Sequence, residues 1–203
     1  MSTGPRRVLD VSELPALAFG HHATIWWGTL GLITIESTMF GLMVATYLYL
    51  RLVVPHWPPL ANPLPGLAAP TANAALLLVS LLPMIVVHRA ALARDRRRVG
   101  LGLIAGIGFG IAALVLRGFE FRALGVRWDA HAYASVAWVI LGFHTGHLLA
   151  STVENVLLAL VIASPRLQPT HFVDTEVNAI YWYFVVVGWL PMYLLVFFGP
   201  RLF

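Results

Sequence analysis

One carboxylate, Glu36, stands inside an apolar segment that otherwise extends over residues 25–50. If that segment is a membrane-spanning helix, Glu36 lies about eleven residues from its start, which at ~1.5 Å per residue is near the bilayer midplane. A carboxylate without a partner is costly there, so it is either protonated or paired with a cation or hydrogen-bond donor of another helix. The sequence predicts a proton-accepting or gating carboxyl, and a hydrogen-bonded structural acid is an equally supported alternative.

A second polar group follows one stripe of a later apolar segment. Steps of three, four and three residues separate its members, which are His144, His147, Ser151 and Glu154. On a helix this spacing puts all four on one face, and a polar face in a membrane helix points to protein or water. A metal shared by His144 and His147 is disfavoured, because Glu154 lies about 15 Å from His144 along the axis and cannot join it. We expect instead an interhelical polar network with no catalytic residue, metal or haem. Its members are Glu36, His144, His147 and Glu154.

The composition indicates which elements position these residues. Of 203 residues, 59% are hydrophobic and 11% are charged, which excludes a water-soluble domain. All 13 basic residues are Arg, and the chain has no Cys, so disulfides, thiolate nucleophiles and iron–sulfur clusters are excluded. The densest basic run, residues 94–98, lies between two apolar segments, so lipid phosphates and not nucleic acid are its expected partners.

Five apolar segments predict an all-α fold, a polytopic membrane helix bundle with five transmembrane helices. A single domain over residues 23–203 is expected to follow a polar N-terminal tail, residues 1–22. The helices are predicted at about residues 25–50, 71–93, 99–118, 132–163 and 177–198. Gly102, Gly106 and Gly110, at four-residue spacing, predict a helix face that a neighbouring helix approaches closely. A loop is predicted between the third and fourth helices, and it carries Arg117, Glu120, Arg122, Arg127 and Asp129.

The distribution of Arg among the loops predicts the orientation of the bundle. With the N-terminus inside, eight Arg lie on the cytoplasmic side and five on the outer side. The cytoplasmic set is Arg6, Arg7, Arg89, Arg94, Arg96, Arg97, Arg98 and Arg166, and the outer set is Arg51, Arg117, Arg122, Arg127 and Arg201. The N-terminus is therefore predicted to be cytoplasmic and the C-terminus outside.

Residues near the ends of the apolar segments predict contacts with lipid. Arg51 is placed to hold a lipid phosphate, although a side chain that snorkels without a specific partner fits the sequence equally well. Trp57, Tyr181 and Trp182 are typical of the aromatic belt at a membrane interface. Phospholipid is therefore the expected ligand of these positions.

Three groups of motifs occur in successive helices. They are residues 26–28 with 35–40 and 47–51, residues 127–135 with 142–147, and residues 181–186. Together they resemble subunit III of the haem–copper cytochrome oxidases in its short, five-helix form. The second group is similar to that family's Gly-x-His-x-x-His helix and the third to its Tyr-Trp-His-Phe-Val-Asp. Tyr183 and Val186 stand where the family usually has His and Asp, which indicates a divergent branch.

The resemblance implies an accessory subunit of a cytochrome c oxidase, which oxidises cytochrome c, reduces O2 to water and pumps protons in aerobic respiration. Subunit III binds no haem or copper, which lie on partner subunits. It packs on subunit I, in a complex with subunit II and further small subunits, supports proton uptake and stability, and holds phospholipid. The implied location is the plasma membrane of a bacterium. Two other interpretations stay open: a small proton-coupled transporter or channel, motivated by the intramembrane carboxylates, and the related accessory subunit of a nitric oxide reductase.

Overall fold

The computed structural model describes residues 18–59 and 64–202. Residues 1–17 of the predicted N-terminal tail therefore lie outside the described residues. Within the described ranges the chain is all-helical, with a short 3₁₀ turn at Gly20–His22 and five long helices. These are α1 (Thr24–Val53), α2 (Ala68–Leu92), α3 (Arg96–Ala123), α4 (Ala132–Ala163) and α5 (Thr170–Leu202). Each is long and apolar enough to cross a membrane, which confirms the predicted five-helix membrane bundle.

The ends of two helices differ from the sequence prediction. The third helix continues five residues beyond 118, to Ala123, because Arg117 and Glu120 form an ion pair one turn apart on α3 itself. The charged residues are thereby accommodated in helix instead of loop. The last helix begins at Thr170, seven residues before 177. Polar side chains in its first turns form hydrogen bonds within the helix, as where Thr175 Oγ1 donates to the carbonyl of His171 at 2.7 Å.

The helices are enclosed to very different degrees. α2 packs on α3 and α5, and α4 packs on α3 and α5, so these four helices form the body of the bundle. α1 lies at the edge against α4 and α5, and among its residues only Phe40 and Tyr47 are buried. Its large apolar side chains, such as Leu42 and Leu52, face outward. Glu36 therefore belongs to a peripheral helix with few anchoring contacts.

The glycine face of α3 packs closely, as its spacing predicts. A Cβ atom on Gly102 would lie 2.5 Å from Cγ2 of Val87 in α2, and one on Gly110 would overlap the side chain of Thr152 in α4. Only residues without a side chain allow α3 to approach both neighbours at this distance. This close contact holds α3 and α4 in the register that positions the polar residues described next.

Candidate functional site

The first polar group, the carboxylate cluster, consists of Glu36 on α1, His147 on α4 and Tyr181 on α5. The Tyr181 hydroxyl lies 3.0 Å from Oε1 and 2.8 Å from Oε2 of Glu36, so it donates to the carboxylate. Nε2 of His147 lies 3.4 Å from Oε1 of the same carboxylate, and the side chains of His147 and Glu36 are 12% and 14% exposed. Three helices that are distant in sequence thus meet at one carboxyl group.

The two ring nitrogens of His147 face different partners. Nδ1 of His147 lies 2.8 Å from the carbonyl oxygen of Phe143, and since a carbonyl only accepts, Nδ1 carries a hydrogen. Nε2 then contacts Glu36 favourably only when one proton lies between them, either on Nε2 as an imidazolium or on the carboxyl. The structure thus brings the His147 imidazole of α4 within ion-pair distance of the Glu36 carboxylate of α1.

The carboxylate cluster borders a groove that opens on the outside of the bundle. The groove has a volume of about 370 Å³ and is lined by Glu36, His147 and Tyr181 together with Gly142 and Gly146. Cβ atoms on these two glycines would meet nothing within 4 Å, so the space beside them is open. The side chains of Glu36 and His147 are therefore accessible along this groove.

The second polar group, the buried arginine cluster, lies deeper in the bundle and consists of Arg117, Glu120, His144 and Trp189. Arg117 is 1% exposed, and its Nη1 forms the ion pair with Glu120. Its Nη2 lies 2.8 Å from Nδ1 of His144. The guanidinium carbon lies 3.9 Å from the centroid of the Trp189 ring, a cation–π contact. A buried positive charge is thus stabilised by an acid, an imidazole and an aromatic face.

These contacts fix the protonation state of His144. A guanidinium only donates, so Nδ1 of His144 accepts from Arg117, and Nε2 must carry the hydrogen that points to the carbonyl of Val185 at 3.0 Å. His144 is neutral and both its nitrogens are occupied, so it joins α3, α4 and α5 as a structural element. The Phe40 ring contacts both His144 and His147, with centroids 6.4 and 5.0 Å apart, and so lies beside both clusters.

The predicted network of four residues is divided in the structure. Glu36 and His147 are brought together, whereas His144 belongs to the buried arginine cluster. Glu154 lies further along α4, beside a smaller groove that it shares with Tyr181, and it interacts electrostatically with Asp174 of α5. Sequence reasoning missed Arg117 and Glu120, although their three-residue spacing at the end of an apolar segment was a usable signal of a continuing helix.

Tyr181 and Trp182 are not at a lipid interface within this chain. Tyr181 binds Glu36, and Trp182 is fully buried, with Nε1 donating to Ser80 Oγ at 3.0 Å. The reason is the earlier start of α5 at Thr170, which moves both residues from the predicted end of the helix to its middle. Trp57 is partly buried and packs edge-on against Tyr47 and Tyr133, both at 5.2 Å. Arg51 lies in the last turn of α1 and is also partly buried.

The two residues that depart from the expected motif of α5 occupy different surroundings. Tyr183 donates to the carbonyl of Met84 at 3.1 Å and lies 3.4 Å from Nδ1 of His88 on α2. Val186 is fully buried in the apolar core. The imidazole beside position 183 therefore comes from His88 of α2, whereas the expected motif has His at position 183 itself. Across the residues that the structure describes, no three His, Cys, Asp or Glu side chains converge as metal ligands would.

Comparison with known proteins gives a consistent answer over almost the whole chain. The family model for cytochrome c oxidase subunit III matches residues 17–200. A protein of Synechocystis sp. named cytochrome c oxidase subunit 3 is 30% identical over 200 residues, covering 93% of this chain and 83% of the relative. A protein of the same name from Thermostichus vulcanus is 29% identical over 202 residues, covering 94% of this chain and 96% of the relative. Cytochrome c oxidase subunit 3 of Myxine glutinosa is 28% identical over 142 residues, which is 70% of this chain and 54% of that longer protein. The chain therefore belongs to the cytochrome c oxidase subunit III family and is a multi-pass membrane subunit of a haem–copper oxidase complex.

Proposed function

We propose that this chain is the non-catalytic, accessory subunit III of a bacterial terminal oxidase in the plasma membrane. It packs mainly on subunit I, in a complex that also contains subunit II and further small subunits. Haem and copper lie on those partners, and the complex transfers electrons from cytochrome c to O2 and pumps protons. Membership of the subunit III family supports this assignment. The peripheral position of α1 also supports it, because an exposed apolar helix is suited to contact with lipid or another subunit.

The carboxylate cluster carries the proposal for what this subunit contributes. Glu36 and His147 share one exchangeable proton beside an open groove, and Tyr181 holds the carboxyl in place. With this proton the pair has no net charge, and when the proton leaves, the hydrogen bond from Tyr181 stabilises the remaining carboxylate. We infer that the cluster helps to sustain proton uptake by the complex and that the neutral, locked His144 does not take part.

The proposed orientation has a cytoplasmic N-terminus and an outer C-terminus. Arg117 is buried inside the bundle and is no longer a loop residue, so the outer side retains four Arg against eight on the cytoplasmic side. The larger asymmetry strengthens the positive-inside argument. Cysteine residues introduced singly next to Arg98 and Arg127, with labelling by a membrane-impermeant reagent, test the orientation. Labelling of the Arg98 side in intact cells would contradict it.

Purification through an affinity tag on this chain tests the proposed complex. The eluate is expected to contain haem, visible in its absorption spectrum, and to reduce O2 with reduced cytochrome c. A haem-free eluate would refute the proposal. Proton flux through liposomes that contain only this chain would favour a transporter, and reduction of nitric oxide in place of O2 would assign the partner to a nitric oxide reductase.

The variant Glu36→Gln tests the role of the carboxylate cluster. Glutamine keeps the shape and still accepts from Tyr181, but it cannot share a titrating proton with His147. We expect normal assembly, slower proton uptake and fewer turnovers before the complex loses half of its activity. Glu154→Gln is the matched control, because Glu154 lies on the same membrane bundle outside the cluster. If Glu36→Gln has the same proton uptake and catalytic lifetime as the control, Glu36 has only a packing role.

A further inference from the structure

Phe40 is one of the two buried residues of α1, and it stands one helical turn after Glu36. A spacing of four residues puts both side chains on the same face of the helix. The Phe40 side chain is 6% exposed, whereas that of Met39 beside it is 43% exposed. Phe40 therefore enters the bundle next to the carboxylate cluster.

The Phe40 ring fits between α4 and α5. Its centroid lies 5.4 Å from that of Phe143 and 5.0 Å from that of His147, both on α4. It lies 5.9 Å from that of Phe184 on α5. Aromatic rings attract each other at these distances, beyond the effect of the apolar area that they bury. One side chain of α1 is thus held by two other helices.

The imidazole of His147 belongs both to this aromatic contact and to the carboxylate cluster. Its Nε2 lies 3.4 Å from Oε1 of Glu36, while its ring packs against Phe40 and, at 4.7 Å, against Phe143. These two phenyl rings limit the rotation of the imidazole that faces the carboxylate. Removing the Phe40 ring would therefore loosen the cluster at both partners, the helix that carries Glu36 and the ring of His147.

Tyr47 and Gly20, which also hold the α1 segment on the bundle, are distant from Glu36. Tyr47 is fully buried but lies eleven residues further along α1, or about 16 Å. The backbone N–H of Gly20, in the turn before α1, donates to a carboxylate of α5 sixteen residues before Glu36. The hydrogen bond from Tyr181 leaves the helix free to move, because the glutamate side chain can follow through its rotatable bonds. Phe40 is therefore the buried side chain of α1 nearest to Glu36.

A small rotation of α1 is sufficient to separate Glu36 from His147. Side chains reach roughly 5–6 Å from a helix axis, so a rotation of about 20° moves a carboxylate by about 2 Å. Starting from the 3.4 Å between Nε2 and Oε1, such a shift takes the pair beyond the ~4 Å of an ion pair. The contact thus depends on a rotation of α1 that a buried ring can fix.

We propose that Phe40 is the positioning residue of the carboxylate cluster. Its ring, held between α4 and α5, sets the rotation and depth of α1 and thereby keeps Glu36 within reach of His147. The consequence for proton uptake rests on the proposed function, whereas the position of α1 does not. Phe40 itself handles no proton and acts only through Glu36 and His147.

Double electron–electron resonance on the tagged complex tests the position of α1. Nitroxide labels on Ile35→Cys of α1 and Val153→Cys of α4 report the distance between two exposed positions, and the chain has no Cys of its own. The complex without these two substitutions, treated identically, supplies the background. We expect Phe40→Leu to shift and broaden the distance distribution, whereas Met39→Leu, the matched control on the exposed face, leaves it unchanged. Equal distributions for the two variants would overturn the proposal.

Proton uptake by the same complex tests whether Phe40 acts through Glu36. We expect Phe40→Leu to cause at least half of the loss of uptake that Glu36→Gln causes, and no further loss in the Glu36→Gln background. A residue with a general structural role lowers uptake by the same factor in both backgrounds. That result would also overturn the proposal.

Phe184→Leu keeps the test decisive if Phe40→Leu does not assemble, because it removes one contact of the Phe40 ring from the side of α5. It should change the distance distribution in the same direction, and an unchanged distribution would count against Phe40 as the positioning residue. Normal proton uptake in Glu36→Gln would instead refute the proposed function of the cluster. The resonance measurement would then still decide whether Phe40 positions α1.

Discussion

Replacing His144 with Phe removes the hydrogen bonds of the buried arginine cluster while keeping a ring of similar size. The imidazole accepts from Arg117 and donates to the carbonyl of Val185, so it links α3, α4 and α5. In His144→Phe both Arg117 and the carbonyl of Val185 lose their hydrogen bond to the imidazole, at a site where the side chain is fully buried. The packing against Trp189, with ring centroids 4.6 Å apart, is preserved. The variant therefore isolates the polar contribution.

The size of the effect follows from the two lost interhelical bonds. Hydrogen bonds between membrane helices are worth about 0.6 kcal/mol on average and up to about 1.7 kcal/mol. Two of them predict a loss of about 1–3 kcal/mol in the free energy of unfolding. Arg117 keeps its ion pair with Glu120, so the larger cost of an entirely unpaired buried charge is avoided.

Titration with SDS in mixed micelles, followed by tryptophan fluorescence, measures this loss. Thr145→Val, next to His144 on α4, is the control, because among the described residues Thr145 hydrogen-bonds within its own helix, to the carbonyl of Leu141. A double-mutant cycle with Arg117→Met should give a coupling energy of about 1 kcal/mol or more between positions 117 and 144. If His144→Phe is as stable as Thr145→Val, or the coupling is zero, the assignment of His144 as a structural link is refuted.

Further predictions concern the packing of α3 and α5. Gly110→Ala should lower the free energy of unfolding by about 1–3 kcal/mol, because the new methyl group overlaps Thr152. Gly108→Ala on the same helix meets open space and should be neutral or stabilising by about 0.5–1 kcal/mol, as a helix gains from Ala over Gly. Trp182→Phe should cost about 0.6–1.7 kcal/mol through the lost bond to Ser80, and Ser80→Ala in that background should cost little more. All are measured by the same SDS titration. Equal stability of the two glycine variants would contradict the close approach of α3 to α4.

The five helices and the polar positions inside them could be predicted from the sequence, because a membrane span is a local property. A span needs about 20 consecutive apolar residues with every backbone group bonded within the helix, so hydropathy along the chain reveals it. α4 was predicted at its observed bounds for this reason. The ends of α3 and α5 could not be predicted in the same way, because polar residues there are compensated by partners that hydropathy does not include.

Only the tertiary structure decided which polar residues meet. Glu36 binds Tyr181, 145 residues away, and His144 binds Arg117, 27 residues away. These pairs depend on the rotation and depth of each helix relative to its neighbours, which are set by packing contacts such as the glycine face of α3. The spacing of polar residues along a helix determines which of its faces is polar, but not which residues of other helices pack against that face. The sequence alone therefore determined that this protein holds charged groups inside a membrane bundle. The packing of that bundle separated them into a cluster of Glu36, His147 and Tyr181 and a structural link at His144.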